Sequence, residues 1–138
     1  MNYYISKKID ATFEQAIDEV KEALGIQGFG VFSETNIHEK LKEKLDVNFR
    51  KYTILGAYNL AYAYKALQNG DKIGTLLPCN VIVQELKKNK IEVAAIDPVT
   101  SMLAIENPKL AKIAGEIKVK LERAIKSLHT GVESFGLV

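Results

Sequence analysis

The sequence of 138 residues predicts a single α+β domain, a two-layer sandwich in which a mixed, mostly antiparallel sheet of about five strands carries helices on one face. Short segments rich in β-branched and aromatic residues alternate with amphipathic helical segments in the order β-α-β-α-β-α-β-β-α. Two strands late in the chain are joined by a short polar turn, which is typical of an antiparallel hairpin. A doubly wound parallel fold is the alternative, but no glycine-rich phosphate loop follows a predicted strand.

The first third of the chain predicts a strand, a helix and a second strand. Aromatic and β-branched residues from Tyr3 to Ile9 favour the first strand. Thr12 and Gln15 have the spacing of a capping box, in which each side chain satisfies a free backbone N–H at a helix start. The helix that follows carries apolar residues at spacings of three and four, on Phe13, Ile17, Val20 and Leu24. A second strand follows from Gly28 to about Thr35.

The middle of the chain predicts a surface helix, a third strand and a third helix. Asn36 caps a short helix that runs to about Leu45 and is mostly charged, as expected of a solvated face. The segment from Lys51 to Ala57 predicts the third strand. Asn59 then caps a helix through Gln68, whose apolar face consists of Leu60, Ala63, Tyr64 and Leu67. We expect this face to pack into the core.

The apolar run from Gly74 to Val83 contains the only cysteine, Cys79, and leads into the most strand-like segment of the chain. This fourth strand runs to about Leu86. Because Val81-Ile82-Val83 is apolar on both faces, we place the strand centrally in the sheet. A polar turn rich in lysine then leads into a fifth strand, from Ile91 to Ile96.

Two prolines mark element boundaries in the last third of the chain. Asp97-Pro98 ends the fifth strand, because proline cannot donate to the strand ladder. The segment from Val99 to Glu106 is compatible with a loop, a helical turn or a short strand. Asn107-Pro108 starts the last helix, which has an apolar stripe through Leu128. We expect one domain over residues 1–138, with its core in residues 3–128 and an irregular tail in residues 129–138.

The composition excludes several classes of function. A net charge of +2 is too small for a nucleic-acid-binding surface, and no apolar run reaches the roughly 18 residues of a membrane span. One cysteine cannot form an internal disulfide, and the N-terminus lacks the apolar segment of a signal peptide. We therefore expect a cytoplasmic protein without nucleic-acid or membrane partners. No cluster of His, Cys, Asp and Glu has metal-ligand spacing, and the sequence indicates no particular cofactor.

Five side chains at the ends of predicted elements are candidates for a small-molecule site: Tyr58, Asn59, Cys79, Asn80 and Asp97. Each also has a structural interpretation. Tyr58 suits a pocket wall or a dimer contact. Asn59 suits a ligand contact or a helix cap, and Asn80 suits a ligand contact or a bond to neighbouring backbone. Asp97 suits a general base or the cap of the following turn.

Cys79 is the candidate catalytic residue, because it is the only thiol in the chain. A reactive thiolate needs a nearby cation or a helix N-terminus, whereas a structural cysteine fills core volume. The two histidines, His38 and His129, lie in an exposed helix and near the tail, so neither is placed to activate the thiol. The sequence leaves open whether Cys79 reacts or simply packs.

Several segments together resemble the domain of unknown function 302 family, whose members are small bacterial and archaeal α+β domains. They are residues 52–59, residues 63–67, the run Ile-Gly-Thr-Leu-Leu-Pro-Cys-Asn-Val-Ile-Val at residues 73–83, and Ala-Ile-Asp-Pro at residues 95–98. The resemblance implies a compact domain, a homodimer and no established activity. Members often carry Cys-Asn-Pro where this chain has Tyr58-Asn59-Leu60, so this chain has no second thiol for dithiol chemistry.

These observations favour a homodimeric domain that binds a small molecule near the Leu-Pro-Cys-Asn segment. Two alternatives remain. One is a thiol-dependent enzyme or sulfur carrier that uses Cys79. The other is a structural or partner-binding protein that presents its sheet face or its last helix to another chain.

Overall fold

The structure, a computed structural model, describes residues 2–129 of the chain. Its elements are β1 (Tyr4–Asp10), α1 (Phe13–Ile26), β2 (Gly30–Asn36), α2 (Ile37–Leu45), β3 (Tyr52–Tyr58), α3 (Leu60–Asn69), a 3₁₀ helix (Asp71–Leu76), β4 (Cys79–Lys87), β5 (Lys90–Ile96), α4 (Pro98–Ser101) and α5 (Pro108–Lys126). The segment that the sequence left open therefore contains the one-turn helix α4. Apart from His129, the tail expected at residues 129–138 lies outside the described residues.

The five strands form one sheet in the order β1-β5-β4-β3-β2. Every neighbouring pair is antiparallel, including the predicted hairpin of β4 and β5. The predicted α+β sandwich is confirmed, and its pairing is antiparallel throughout. β4 occupies the centre of the sheet, as the apolar segment Val81-Ile82-Val83 indicated.

The core lies between one face of the sheet and the two long helices α1 and α5. α1 begins with the predicted capping box, in which the backbone N–H of Gln15 and that of Thr12 each lie 3.1 Å from the other residue's side-chain oxygen. The stripe of α5 is buried as expected, on Leu110, Ile113, Ala114, Ile117, Leu121, Ala124 and Ile125. Across residues 2–129, none of the helices combines the length and apolar character that crossing a membrane requires.

The two faces of the sheet differ because side chains alternate along each strand. On β4, Cys79, Val81 and Val83 are buried on the core side, whereas the side chains between them are partly exposed on the other side. We call this second side the open face. Its central positions, which follow from the strand register, are Tyr52 and Ile54 on β3, Asn80, Ile82 and Gln84 on β4, and Glu92, Ala94 and Ile96 on β5.

Helix α3 packs differently from what its apolar spacing predicted. Of the predicted apolar face only Ala63 is buried, and Ala66 is buried beside it, so the helix contacts the rest of the domain through small side chains. Leu60, Tyr64 and Leu67, which we expected in the core, are exposed. Small residues allow a helix to approach its neighbour closely, and here they leave the large apolar side chains on the solvent side.

Candidate functional site

A depression of about 370 Å³ lies on the open face, over the three central strands and the start of β1. Its walls combine aromatic, aliphatic and polar side chains, from Tyr3, Tyr4, Tyr52, Asn80, Ile82, Gln84, Glu92, Ala94, Ala95 and Ile96. The volume falls within the range of small-molecule sites, which are mostly apolar and carry a few polar groups.

The floor of the depression is apolar because two strand partners point the same way. Ile82 on β4 pairs with Ala94 on β5, and both side chains lie on the open face. Ala94 contributes only a methyl group, so the depression is deeper above this residue than it would be above a larger side chain. Asn80, one of the predicted site residues, lies two positions before Ile82 on the same face and adds an amide to the wall.

The next cross-strand pair on the open face of the hairpin is polar. Gln84 pairs with Glu92, and the Gln84 amide nitrogen Nε2 donates a hydrogen bond of 2.9 Å to the Glu92 carboxylate oxygen Oε1. The strand partner of Glu92 on β1 is Lys8, yet no lysine or arginine among residues 2–129 forms an ion pair with Glu92. The depression therefore contains a half-buried carboxylate whose second oxygen, Oε2, makes no hydrogen bond or ion pair within residues 2–129.

Tyrosine rings border the depression. Tyr3 and Tyr4 meet edge to face, with ring centroids 5.1 Å apart. Tyr52 pairs with Gln84 across β3 and β4 and so lies beside the polar end of the site. The tyrosine rings and the Glu92 carboxylate line the same depression, and both kinds of group attract positive charge.

Cys79 lies on the other side of β4, away from the depression. Its thiol is buried in the core, and this burial raises the pKa of the Cys79 thiol to about 11. The thiol therefore stays protonated at neutral pH, when a nucleophilic cysteine needs to be a thiolate. Its strand partner is Ala57 on β3, a small buried residue.

Asp97 is buried at the end of β5, and its carboxylate is fully engaged. Oδ1 accepts hydrogen bonds from the backbone N–H groups of Val99 and Thr100, at 2.9 and 3.3 Å, and caps α4. Oδ2 lies 3.0 Å from the ammonium of Lys118 on α5. Burial alone would raise the pKa of Asp97, but the bonds from Lys118, Thr100 and Val99 outweigh it and hold that pKa below its ordinary value.

Tyr58 and Asn59 lie at the junction of β3 and α3. The ring of Tyr58 packs edge to face on Phe32, with centroids 5.2 Å apart. The Asn59 side chain makes no capping bond to α3, and its amide instead donates to the backbone carbonyl of Gln27 at 3.3 Å. The structure thus brings only Asn80, of the five predicted residues, into the open-face depression, and places Asp97 in a separate cleft beside Lys118.

Sequence reasoning did not single out Tyr52, Gln84 or Glu92. A signal for Glu92 was present, because it lies between the apolar residues Ile91 and Val93 in a strand, which indicates a partly exposed face. The meeting of Gln84 and Glu92 across β4 and β5 depends on the hairpin register. Within residues 2–129, no group of three or more His, Cys, Asp or Glu residues could hold a metal ion.

Comparison with known proteins provides the family and the fold. Residues 5–128 match the family model described as "Domain of unknown function DUF302". A solved structure of an uncharacterized conserved protein DUF302 from Bacillus stearothermophilus superposes with a TM-score of 0.84 at 24% sequence identity, and the match covers 91% of this chain and 98% of that chain. At this identity the likeness concerns the fold. Among curated proteins, none matches this chain.

Proposed function

This chain belongs to the DUF302 family of domains of unknown function, and on that premise we propose that it binds a small organic cation with an apolar body in the open-face depression and acts as a homodimer. The observation that carries the proposal is the Glu92 carboxylate, which lines the same depression as the tyrosine rings and the apolar floor and forms no ion pair within residues 2–129. An amine would supply the missing charge, and its carbon skeleton would cover Ile82 and Ala94.

The polar groups around Glu92 would fix the orientation of such a ligand. Gln84 occupies Oε1 of Glu92, which leaves Oε2 for an ammonium group. Asn80 stands at the other end of the apolar floor and can accept or donate a hydrogen bond. A ligand with an ammonium group at one end and a hydroxyl at the other therefore matches the depression best.

Tyramine has this arrangement and is the probe we would use. We expect tyramine to produce saturable shifts in the amide NMR signals of Asn80, Gln84 and Glu92. p-Cresol has the same ring and hydroxyl but no amine, so it should bind more weakly if Glu92 contributes. The absence of saturable shifts at millimolar tyramine would overturn the proposal.

Two variants test the roles of the carboxylate and the floor. Glu92→Gln removes the charge and keeps the shape, and it should weaken tyramine binding by about fivefold to tenfold. Ala94→Leu raises the floor and should abolish binding. Glu85→Gln is the matched control, because Glu85 lies next to Gln84 on β4 and points to the opposite face of the sheet. An equal loss of binding in Glu85→Gln would show that the effect is not local to the depression.

A thiol-dependent reaction at Cys79 is the second candidate, and the geometry supports it less well. A reactive cysteine needs a lowered pKa and access to its substrate. The Cys79 thiol instead has a raised pKa and lies in the core. For this reason we propose the small-molecule site at the depression rather than at the thiol.

The homodimer is the other part of the proposal. Its support is the number of large apolar side chains that the single chain leaves exposed, Tyr64, Leu60 and Leu67 among them. Light scattering on the wild-type protein measures the mass of the particle in solution and therefore the number of chains in it. A mass of one chain at all accessible concentrations would contradict the homodimer.

A further inference from the structure

We infer that the exposed stripe on α3 is the surface through which two copies of this chain associate. We call this surface the α3 stripe and define it as Leu60, Tyr64, Leu67 and Leu76. The inference rests on the homodimer of the proposed function and adds to it the identity of the interface.

The first argument is the geometry of the exposed side chains. Leu60, Tyr64 and Leu67 recur at spacings of four and three, so they lie on one side of α3, and 60%, 65% and 44% of their respective surfaces are exposed. This spacing is normally used to bury a helix against a partner. The packed side of α3 adjoins this stripe and is formed by Ala63 and Ala66.

The second argument is the amount of apolar surface. The 3₁₀ helix beside α3 adds Leu76, and its Gly74 lies close to Leu67, where an added Cβ would be 3.9 Å from that side chain. At about 200 Å² for a large apolar side chain, the four members of the stripe expose on the order of 400 Å². A stable interface buries about 800 Å² on each partner, with an apolar centre and a polar rim. The α3 stripe has the size of such a centre.

The third argument is charge, and it identifies the occupant. In a two-fold symmetric dimer each surface meets itself, so like charges on it would repel. α3 carries a single charged residue, Lys65, and its ammonium lies over the ring of Tyr62, 5.2 Å from the centroid. An uncharged apolar stripe with a central tyrosine is complementary to a second copy of itself. A strongly charged partner would find on this helix only Lys65 to pair with.

The open face is another uncovered surface of the domain, and it is less suited to self-association. A second sheet packed there would bury Glu92, whose hydrogen-bond partner within residues 2–129 is the neutral amide of Gln84. The α3 stripe buries no charge. Association through α3 also leaves the proposed ligand depression accessible in both copies.

The test is the mass of the protein in solution, measured by light scattering and sedimentation over a concentration series. The wild-type protein should be a dimer. Leu60→Glu and Leu67→Glu should raise the dissociation constant at least tenfold. Leu60 is the first residue of α3, where a negative side chain favours the helix, so Leu60→Glu should weaken the dimer without unfolding the chain.

Leu103→Glu is the matched control. Leu103 is 61% exposed, almost the same fraction as Leu60, and it lies outside α3. This variant should remain a dimer. Equal dissociation of Leu103→Glu, or a wild-type dimer that both α3 variants leave intact, would overturn the assignment of the interface. A monomeric wild-type protein would overturn it as well, together with the proposed homodimer. Tyramine titration of the same samples tests the ligand site independently of the dimer interface, because no residue of the α3 stripe lines the depression.

Discussion

The ammonium of Lys118 on α5 lies 3.0 Å from the carboxylate oxygen Oδ2 of Asp97 at the end of β5. The same carboxylate caps α4 through its other oxygen. One buried side chain therefore joins the last strand, a one-turn helix and the long C-terminal helix. This contact makes Asp97 a structural residue of the fold.

Replacing Asp97 should destabilise the protein in proportion to the bonds that are lost. Asp97→Ala removes the cap and the ion pair and should lower the free energy of unfolding by about 2 kcal/mol. Asp97→Asn keeps an oxygen for the backbone N–H groups of Val99 and Thr100 and should cost about 1 kcal/mol. Urea unfolding of both variants measures the difference. Equal stability of Asp97→Ala and the wild-type protein would contradict this role.

The Asp97 carboxylate should also make stability depend on pH. Its pKa in the folded protein is lowered, so its contribution is complete above the ordinary aspartate pKa and is lost as the pH falls through the folded value. The stability gap between the wild-type protein and Asp97→Asn should therefore stay constant from neutral pH to about pH 5 and then narrow in acid. Unfolding curves at a series of pH values provide the comparison. A stability difference between the two proteins that widens in acid would contradict the lowered pKa of Asp97.

Cys79 should react slowly in the folded protein. Burial raises the pKa of its thiol to about 11 and also excludes reagents, so labelling by iodoacetamide at about pH 8 should be far slower than for a free thiol. Addition of denaturant should restore the ordinary rate. The same shift makes the wild-type protein less stable above the ordinary thiol pKa, because the unfolded chain can ionise there first. Rapid labelling of the native protein would contradict the buried position of Cys79.

Gly56 should not tolerate a side chain. An added Cβ would collide with the hydroxyl of Ser33 on β2 and would lie 3.0 Å from Cγ of Pro78. Gly56→Ala should therefore cost about 1–3 kcal/mol of stability. The double variant Gly56→Ala, Ser33→Gly should recover part of that loss, since Pro78 still crowds the site. A Gly56→Ala protein as stable as the wild type would show that the strands separate easily at this point.

Gly115 should behave in the opposite way under the same substitution. It lies within α5, and an added Cβ would meet no atom within 4 Å. Alanine is the better helix former, so Gly115→Ala should stabilise the protein by about 0.5–1 kcal/mol. Thermal unfolding of the variant measures the gain. A loss of stability would indicate a close contact that α5 makes elsewhere, such as in an assembly.

The sequence by itself determined the features that depend on neighbouring residues. The capping box of Thr12 and Gln15, the proline that begins α5 and the central position of β4 all follow from local patterns, because backbone hydrogen bonds and side-chain alternation operate over a few residues. The order of the elements and the α+β class follow from the same patterns. The family resemblance in residues 73–83 added nothing about function.

Only the tertiary structure decided which side of each element faces the core. The apolar spacing of α3 predicted burial of Leu60, Ala63, Tyr64 and Leu67, but of these only Ala63 is buried, together with Ala66, because small residues allow the closest packing. The candidate site depends in the same way on pairing across strands. Glu92 and Gln84 are eight residues apart in the chain and meet through the hairpin register, whereas Cys79 and Asn80 are adjacent and point to opposite faces of the sheet.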